Sequence, residues 1–328
     1  MHLTDGFGRQ ITYLRLSVTD RCDFRCVYCM AEEMQFLPRA QVLTLEESAA
    51  ICRAFVALGV KRIRLTGGEP LVRRGIENLL PQLGNLDGLQ ELTLTTNGSQ
   101  LRKFAPALVA AGVRRINVSL DSLDADQFRE LTRVGDLHQV LDGIQAARDA
   151  GIERIKLNAV ILRQRNLPQV LPLVDFALQQ GLDISFIEEM PLGQVTEHQR
   201  HEELCTSAEL RQLISRHHEI HPSDYRTGGP SRYWQITGSD SRIGFISPHS
   251  DNFCGSCNRV RVTAEGKLLL CLGNENAVDL KAVIRAHPGD DERLQQTIVN
   301  ALSHKPERHH FYQDDSPQIV RFMNATGG

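Results

Sequence analysis

Between residues 10 and 190, short apolar runs alternate with longer amphipathic stretches. The short runs predict strands, and the amphipathic stretches between them predict helices. The predicted strands are Tyr13–Thr19, Arg62–Gly67, Glu91–Thr96, Arg114–Leu120, Glu153–Val160 and Asp183–Met190. The predicted helices are Thr44–Leu58, Arg74–Leu83, Leu101–Ala111, Leu137–Ala150 and Pro168–Gln180. Six alternations favour parallel strands with helical crossovers, either closed into a partial or full barrel or opened into a doubly wound sheet.

The ends of these elements carry further signals. Thr44 followed by Glu47 predicts a capping box at the start of the first helix. Glycines fall at or just past helix ends, where a left-handed residue is favoured; they are Gly59, Gly84, Gly112, Gly151 and Gly181. Polar residues follow the strands instead, so the rim at the carboxyl ends of the strands is predicted to carry the chemistry.

The alternation stops near residue 220. The turn-rich stretch from residue 221 to 230 indicates a boundary, so we predict two domains, residues 1–221 and 222–328. The second is predicted to be mostly β. It contains strands at Arg232–Ile236 and Arg242–Ser247, a hairpin of Val260–Thr263 with Lys267–Leu272, and helices near Asp279–Ala286 and Asp291–Ser303.

Composition narrows the class of protein. The chain has 328 residues and a net charge of −3, which argues against nucleic acid as a partner. No apolar run approaches the ~20 residues of a membrane helix, and the N-terminus lacks the features of a secretory signal. We therefore expect a cytoplasmic protein without a membrane partner. Eight cysteines in such a chain indicate ligands or catalysts instead of disulfides.

Three cysteines lie close together after the first predicted strand. Cys22, Cys26 and Cys29 form a C-x3-C-x2-C motif. Such closely spaced thiolates bind zinc or an iron–sulfur cluster. A structural zinc site normally takes four Cys or His ligands, and His2 is the only histidine within 70 residues of the motif. A cluster held by three thiolates keeps one iron open for a substrate, so the motif favours a cluster.

A second group of thiols lies near the other end of the chain. Cys254, Cys257 and Cys271 form C-x2-C-x13-C, with the last cysteine on the far arm of the predicted hairpin. Zinc remains an alternative here, because zinc ribbons also begin with C-x2-C, and His249 is the nearest candidate for a fourth ligand. Two groups of three thiols predict two clusters, each with an open iron.

The first motif resembles that of the radical S-adenosylmethionine (SAM) enzymes. Their motif also has an aromatic residue between the last two cysteines, here Tyr28. The loop Gly67–Pro70, which follows the second predicted strand, resembles the superfamily motif for the amino group of SAM. Alone it would indicate only a turn at the end of a strand.

Several further stretches resemble one family, the GTP 3',8-cyclases or molybdenum cofactor biosynthesis protein A. They are Leu14–Cys22, Ile63–Pro70, Thr95–Gly98, Arg115–Asp121, Phe253–Arg261 and the terminal Gly327–Gly328. The resemblance implies a partial TIM-type (β/α)6 barrel with a mostly β C-terminal extension that carries a second iron–sulfur site. It also implies two 4Fe–4S clusters and SAM as cofactors.

The reaction implied by the resemblance is that of a lyase. The reduced first cluster passes an electron to SAM, which releases a 5'-deoxyadenosyl radical. This radical abstracts the ribose C3' hydrogen of GTP, and the C3' radical closes onto guanine C8. The product, 3',8-cyclo-7,8-dihydro-GTP, is the first intermediate of molybdopterin biosynthesis, and guanine binds the open iron of the second cluster.

The resemblance also implies roles for individual residues. Tyr28, Gly68, Ser119 and Met190 would contact SAM. The residues that would contact GTP are Arg15, Arg64, Thr95, Lys156, Arg259, Val260 and Arg261. Two of these, Arg64 and Lys156, lie within apolar runs, where a charge needs a partner such as a phosphate.

The resemblance extends to the terminus and to partners. In this family the final glycines, here Gly327 and Gly328, extend into the active site and are needed for activity. The implied partners are GTP, an electron donor and the cyclic pyranopterin monophosphate synthase that receives the product, and a homodimer is an open possibility. One departure is Ser185, which replaces the arginine usual before Phe-Ile-Glu and puts one polar contact near the substrate in doubt.

Three alternatives remain at the level of the sequence. A peptide-modifying radical SAM enzyme would also carry C-terminal clusters, but usually with more cysteines and no terminal Gly-Gly. A non-catalytic iron–sulfur or zinc protein, such as a redox sensor, would leave the Gly67–Pro70 loop unexplained. A family member inactivated by Ser185 should gain turnover when arginine is restored.

Overall fold

A computed structural model of the chain describes residues 3–193, 195, 199–309, 311 and 319–327. Within these residues the strands form one mixed sheet. The sheet runs through the start of the predicted boundary, because Ile220–Ser223 is a strand, while residues 224–230 form neither helix nor strand.

The first part of the described chain alternates strands and helices, as the apolar pattern predicts. The strands are β1 (Tyr13–Ser17), β2 (Arg62–Thr66), β3 (Glu91–Thr96), β4 (Arg115–Ser119), β5 (Arg154–Val160) and β6 (Asp183–Ile187). The helices are α1 (Leu45–Ala57), α2 (Ile76–Gly84), α3 (Leu101–Ala110), α4 (Ala125–Thr132), α5 (Leu137–Asp149) and α6 (Val170–Gln180). Of these, α4 was not predicted from the sequence.

The helices and strands of the second part are mostly shorter than those of the first. Its strands are β7 (Ile220–Ser223), β8 (Arg232–Ile236), β9 (Arg242–Ile246), β10 (Arg259–Val262), β11 (Lys267–Leu269) and β12 (Ala277–Asp279). Its helices are α7 (Arg200–Glu203), α8 (Ser207–Ser215), α9 (Leu280–Ala286), α10 (Asp291–Leu302) and α11 (Met323–Thr326). The predicted hairpin is present as β10 and β11.

The order of strands in the sheet is β12-β11-β10-β1-β2-β3-β4-β5-β6-β9-β8-β7. The strands β1 to β6 are parallel, and both neighbours of this block, β10 beside β1 and β9 beside β6, continue it in parallel. The C-terminal segment therefore flanks both edges of the central strands.

The predicted signals at the helix ends are present with one exception. Thr44 accepts a hydrogen bond from the Glu47 amide while the Glu47 carboxylate accepts one from the Thr44 amide, which is the predicted capping box. Four of the five helix-end glycines have positive φ, but Gly84 does not. It is the last residue of α2, and a Cβ there would clash with the carbonyl of Ala111. The prediction of a left-handed Gly84 was wrong, since a close backbone approach explains this glycine.

The central strands bury both of their faces, as parallel strands usually do. In β2, Ile63 and Leu65 lie in the hydrophobic core, while Arg64 between them is also buried. In β5, Ile155 and Lys156 show the same pattern. The face opposite the hydrophobic core is therefore polar and cationic, and this face carries the site described next. None of the described helices is long and apolar enough to cross a membrane.

Candidate active site

A cavity at the carboxyl ends of the parallel strands collects the first cysteine motif. This cavity, called the Cys22 cavity below, is lined by the three thiols and by all four residues predicted to contact SAM. These residues are Cys22, Cys26, Cys29, Tyr28, Gly68, Ser119 and Met190. They come from the loops after β1, β2 and β6 and from the last residue of β4, so the parallel topology brings distant parts of the chain together.

The loop after β2 passes very close to the loop that precedes the thiols. The Gly68 amide donates a hydrogen bond to the Thr19 carbonyl at 2.8 Å. A Cβ at Gly67 would lie 2.7 Å from that carbonyl, and one at Gly68 would clash with the Arg21 backbone. Only glycine permits this close approach of the two backbones at the wall of the cavity.

A buried carboxylate fixes the shape of the same loop. Glu69 is fully buried and accepts hydrogen bonds from the Leu71 amide at 2.9 Å, the Thr96 hydroxyl at 2.9 Å and the Asn97 amide at 2.7 Å. Burial raises the pKa of Glu69 to about 8, although these hydrogen bonds oppose the shift. The carboxyl group therefore ties the ends of β2 and β3 together beneath the cavity.

Tyr28 is anchored by a carboxylate that follows β4. Its hydroxyl donates to Asp121 Oδ2 at 2.6 Å, and Asp121 Oδ1 accepts from the Val160 amide at 2.8 Å. Burial raises the pKa of Asp121 to about 6. The position of the aromatic ring is thus set by a contact that the sequence motif does not reveal.

The three thiols are in an environment that favours their protonated form. Burial raises the pKa of Cys29 to about 12 and also raises the pKa values of Cys22 and Cys26. A metal that binds them as thiolates must therefore release their protons.

A second cavity lies on the same polar face of the sheet. This cavity, called the Cys254 cavity below, is lined by the second group of thiols and by every residue predicted to contact GTP. These residues are Cys254, Cys257, Cys271, Arg15, Arg64, Thr95, Lys156, Arg259, Val260 and Arg261. The two cavities share four lining residues, which are Thr95, Asn158, Ile187 and Met190. They therefore adjoin each other.

The Cys254 cavity is strongly cationic. Six arginine and lysine side chains line it, and no aspartate or glutamate is among the described residues of its wall. Arg64 is only 4% exposed and Lys156 only 8% exposed, as the apolar runs around them predict. Arg64 donates to the Tyr13 hydroxyl at 2.5 Å, and Lys156 lies 3.4 Å from the Tyr233 hydroxyl. Such a concentration of buried cations fits a polyanionic ligand.

Strand pairing explains why the arginines are so close. In the parallel register Arg15 of β1 is opposite Arg64 of β2 on one side and Arg261 of β10 on the other. Burial, followed by this mutual repulsion, lowers the pKa of Arg15, and burial and Arg259 lower the pKa of Arg261 to about 10. The Arg15 Nε atom is buried without a hydrogen-bond partner among the described residues. An anion between these side chains would reduce the repulsion among the guanidinium groups and could accept a hydrogen bond from Arg15 Nε.

Comparisons with known proteins identify the family. The Radical SAM superfamily model matches residues 16–177, and the Molybdenum Cofactor Synthesis C model matches residues 182–311. Proteins named GTP 3',8-cyclase from Ectopseudomonas mendocina and GTP 3',8-cyclase 2 from Pseudomonas aeruginosa are 62% and 64% identical over 326 residues, which is 99% of this chain and 98% of each relative. The chain belongs to the GTP 3',8-cyclase family.

These matches confirm the predicted radical SAM fold and the predicted class of enzyme, a GTP 3',8-cyclase. As a radical SAM enzyme, this GTP 3',8-cyclase family member uses a 4Fe–4S cluster with SAM. The crystal structure of Streptococcus suis SuiB bound to S-adenosylmethionine matches with a TM-score of 0.65, covering 97% of this chain and 78% of that chain. The identity is 18%, so this match shows a shared fold only.

The histidine beside the second group of thiols is not the one predicted. His249 contacts the Glu189 carbonyl at 2.7 Å through Nε2. His309 instead lies with Nδ1 3.0 Å from Cys254 Sγ, and its Nε2 contacts the Pro248 carbonyl at 3.0 Å. His309 was not predicted from the sequence as a neighbour of these thiols, because it lies 38 residues beyond Cys271 in a polar tail.

Two cations lie beside another thiol of this group. Cys257 Sγ is 3.9 Å from Arg259 Nη2 and 3.8 Å from Lys305 Nζ. Burial raises the pKa of this thiol, but Arg259 and Lys305 outweigh it and lower the pKa to about 7. Cys257 thus differs from Cys271, whose pKa is raised by burial.

Several residues that line the Cys254 cavity were not predicted from the sequence to be site residues. Tyr13, Arg115 and Asn117 also line the Cys254 cavity. Two of them could have been found from the sequence. Arg115 and Asn117 alternate with buried apolar residues in β4. Side chains two residues apart on a strand share a face, so these two face the same cavity. Arg115 is held by Glu91, 2.8 Å away, so its charge is partly offset.

Position 185, where the family usually has arginine, is tightly packed in this protein. Ser185 is fully buried, and its hydroxyl lies 2.9 Å from that of Ser231. On the neighbouring strand, Gly244 is so close that a Cβ there would clash with both serine hydroxyls. Ser185 is also absent from the described residues that line the Cys254 cavity. The strand register pairs Ser185 with Asn158, which lines both cavities, so Ser185 lies on the polar face of the sheet and its part in the substrate site stays a prediction.

Replacing Ser185 with arginine is expected to lower stability by about 1–3 kcal/mol, because Ser185 is fully buried with Ser231 only 2.9 Å away and a larger side chain would overpack the site. Turnover should fall with it. Urea unfolding and product formation measure the two effects, with Ser185→Ala as the control that removes one hydrogen bond without adding volume. A Ser185→Arg protein that is equally stable and faster than the unchanged protein would instead place this position in the substrate site.

The terminal glycines are only partly described. Arg261 Nη1 donates a hydrogen bond to the Gly327 carbonyl. A Cβ at Gly327 would clash with the Thr66 hydroxyl and lie 3.3 Å from Ser17 Cβ. Gly328 lies outside the described residues. The tail therefore reaches the carboxyl ends of β1 and β2 between the two predicted sites.

Proposed function

We propose that this chain converts GTP to 3',8-cyclo-7,8-dihydro-GTP, with SAM in the Cys22 cavity and GTP in the Cys254 cavity. One observation carries the proposal: a cationic cavity with no carboxylate among its described lining residues adjoins a cavity lined by a C-x3-C-x2-C motif. A nucleoside triphosphate satisfies the cations, and the shared wall sets its ribose near SAM. The names of the relatives support GTP as this nucleotide.

In the Cys22 cavity, Cys22, Cys26 and Cys29 would hold the first cluster. When bound, the reduced cluster together with SAM supplies the 5'-deoxyadenosyl radical. We propose that Gly68 offers backbone to the amino group of SAM. The lack of a Cβ at Gly68 supports this role, because the neighbouring backbone leaves no room for one.

Three side chains complete the proposed SAM site. Tyr28, fixed by Asp121, would bound one side of the cofactor, and Ser119 would offer a hydroxyl. Met190 lines both cavities, so it would lie between the cofactor and the nucleotide. Together these residues would exclude water from the reacting carbon atoms.

In the Cys254 cavity, the cations would hold the triphosphate. Arg15 has a free Nε donor, whereas Arg64 is held rigidly by Tyr13 and by the Leu94 carbonyl at 3.0 Å. Arg259 and Arg261 lie on the same face of β10, and guanidinium groups suit phosphate oxygens through paired hydrogen bonds. The proposed contacts are Arg15, Arg64, Thr95, Lys156, Arg259, Val260 and Arg261.

We further propose that Cys254, Cys257 and Cys271 hold a second 4Fe–4S cluster. Among the described residues, no three His, Cys, Asp or Glu side chains converge as ligands of a single metal ion. Zinc needs its ligands about 2.0–2.3 Å from one point, whereas each thiolate of a cluster binds a different iron. The resemblance of Phe253–Arg261 to the GTP 3',8-cyclases supports a cluster over zinc at this site.

We also propose a cytoplasmic location, because the eight cysteines are free, which fits a reducing compartment. The proposed partners are an electron donor for the first cluster and a cyclic pyranopterin monophosphate synthase that receives the product. We further propose that β1–β6 curve into a partial barrel and that the chain divides into residues 1–221 and 222–328, with the limit between them inside β7.

The release of 5'-deoxyadenosine tests the proposed function. Anaerobically reconstituted protein with reductant and SAM should release it strongly with GTP and only weakly with ATP or without nucleotide. Release that ignores the nucleotide would overturn GTP as the substrate and point to a peptide. A protein that takes up iron but releases nothing would overturn the radical chemistry.

Replacing Lys156 with methionine should raise the KM for GTP by about 10–100-fold. A hydrogen bond to a charged group is worth about 1.5–3 kcal/mol, and about 1.4 kcal/mol corresponds to a factor of ten. Steady-state kinetics with varied GTP measure the effect, and binding of SAM should not change. Lys103→Met is the control, since Lys103 is exposed and packs over Phe104. Equal KM values for both variants would contradict the role of Lys156.

A further inference from the structure

Lys305 is a buried lysine outside every motif found in the sequence. It follows α10 and is only 3% exposed. Lysine is rarely buried to this extent unless its charge has a partner. Lys305 therefore needs a structural explanation that the residues assigned so far do not provide.

The ammonium group of Lys305 bridges the two arms of the β10–β11 hairpin. Its Nζ donates to the Arg259 carbonyl at 3.0 Å and to the Leu270 carbonyl. Arg259 begins β10 two residues after Cys257, and Leu270 directly precedes Cys271. One side chain thus fixes the distance between the backbone segments that carry two of the three thiols.

The same ammonium group also lies beside one of these thiols, with Nζ 3.8 Å from Cys257 Sγ. Among the described residues, the contacts of this group are with two carbonyls and a thiol, and none is with a carboxylate. A buried cation without an opposite charge is costly. A negatively charged group at the thiols would supply that charge.

We infer that Lys305 is a positioning residue for the second cluster: it clamps the hairpin that presents Cys257 and Cys271 and offsets the negative charge of the bound cluster. The inference rests on the second cluster of the proposed function. Partners of metal ligands commonly contribute about 10–100-fold to metal affinity. Nearby positive charge also raises the reduction potential of an iron–sulfur cluster, because reduction adds negative charge.

The test uses a full-length background in which only the second group of thiols can bind iron, made by Cys22→Ala, Cys26→Ala and Cys29→Ala. Lys305→Met in this background should release iron to a chelator about tenfold faster. The reduction potential, followed by electron paramagnetic resonance, should shift to more negative values. Lys267→Met is the control, because Lys267 is on the same hairpin but pairs with Glu265 at 3.3 Å.

Lys305→Gln keeps the ability to donate hydrogen bonds to the hairpin but removes the positive charge. Glutamine can donate to both carbonyls, so the thermal unfolding of the metal-free protein should stay close to that of the background. The potential should still shift to more negative values. If Lys305→Met fails to fold, the potential of Lys305→Gln decides the question.

Two results would overturn the inference, and they differ from each other. Lys305 variants that match the background and Lys267→Met in iron release and in potential would overturn the inference alone. A background protein that takes up no iron would overturn the second cluster of the proposed function, and the inference with it.

Discussion

Replacing Cys26 with alanine is expected to abolish the release of 5'-deoxyadenosine, with GTP or without it. The thiol lines the Cys22 cavity beside Cys22 and Cys29, and two thiolates cannot replace three as ligands of the proposed first cluster. Iron content should fall from about eight to about four atoms per chain, because the second group of thiols is unchanged. Release of 5'-deoxyadenosine and iron analysis after anaerobic reconstitution measure the two effects.

Cys52→Ala is the matched control for this variant. Cys52 belongs to α1, is fully buried in the hydrophobic core and lines neither cavity. Its replacement should cost some stability through lost packing while leaving iron content and product release unchanged. A Cys26→Ala protein that keeps its iron and its activity would remove this motif from the reaction.

Much of the fold could be predicted because its signals are local. The apolar run of β3, Glu91–Thr96, has the predicted bounds, and the capping box at Thr44 is present. Gly84 shows the limit of such signals, since the sequence places it at a helix end but cannot reveal the approach of the Ala111 carbonyl. That contact depends on how the C-terminal ends of α2 and α3 pack.

The arrangement of the site could be predicted only in part, because it depends on pairing between distant segments. The motifs name Arg15 and Arg261 separately, but no local pattern indicates that β10 pairs with β1 and sets these side chains opposite each other. The same pairing brings the second group of thiols to the cavity that adjoins the first. Lys305 was missed for this reason, since its partners lie on a hairpin about 40 residues away.

The contact of the C-terminal tail with the catalytic face also depends on such a long-range approach. Gly327 has a φ of 77°, and its carbonyl accepts a hydrogen bond from Arg261, while a Cβ added at this position would clash with the Thr66 hydroxyl. Thr66 cannot easily move away, because its hydroxyl donates to the Leu16 carbonyl at 3.1 Å. A side chain at this position therefore meets both backbone strain and a clash.

Gly327→Ala is accordingly expected to lower formation of the cyclised product by about tenfold or more. A left-handed conformation costs a residue with a Cβ about 1–2 kcal/mol, and the clash with Thr66 adds to it. The tail should leave its position while the rest of the fold stays intact, because relieving the clash requires only the last residues to move. Thermal unfolding should thus be unchanged, and 5'-deoxyadenosine should still form without matching cyclised product.

Gly289→Ala provides the control for backbone strain alone. Gly289 has a φ of 81°, but no atom lies within 4 Å of the added Cβ. If both variants lose the same activity, strain would be the cause and the docking of the tail would not matter. A loss confined to Gly327→Ala would instead connect the contact between the tail and Arg261 to the step that follows SAM cleavage, since Arg261 lines the cavity in which GTP is proposed to bind.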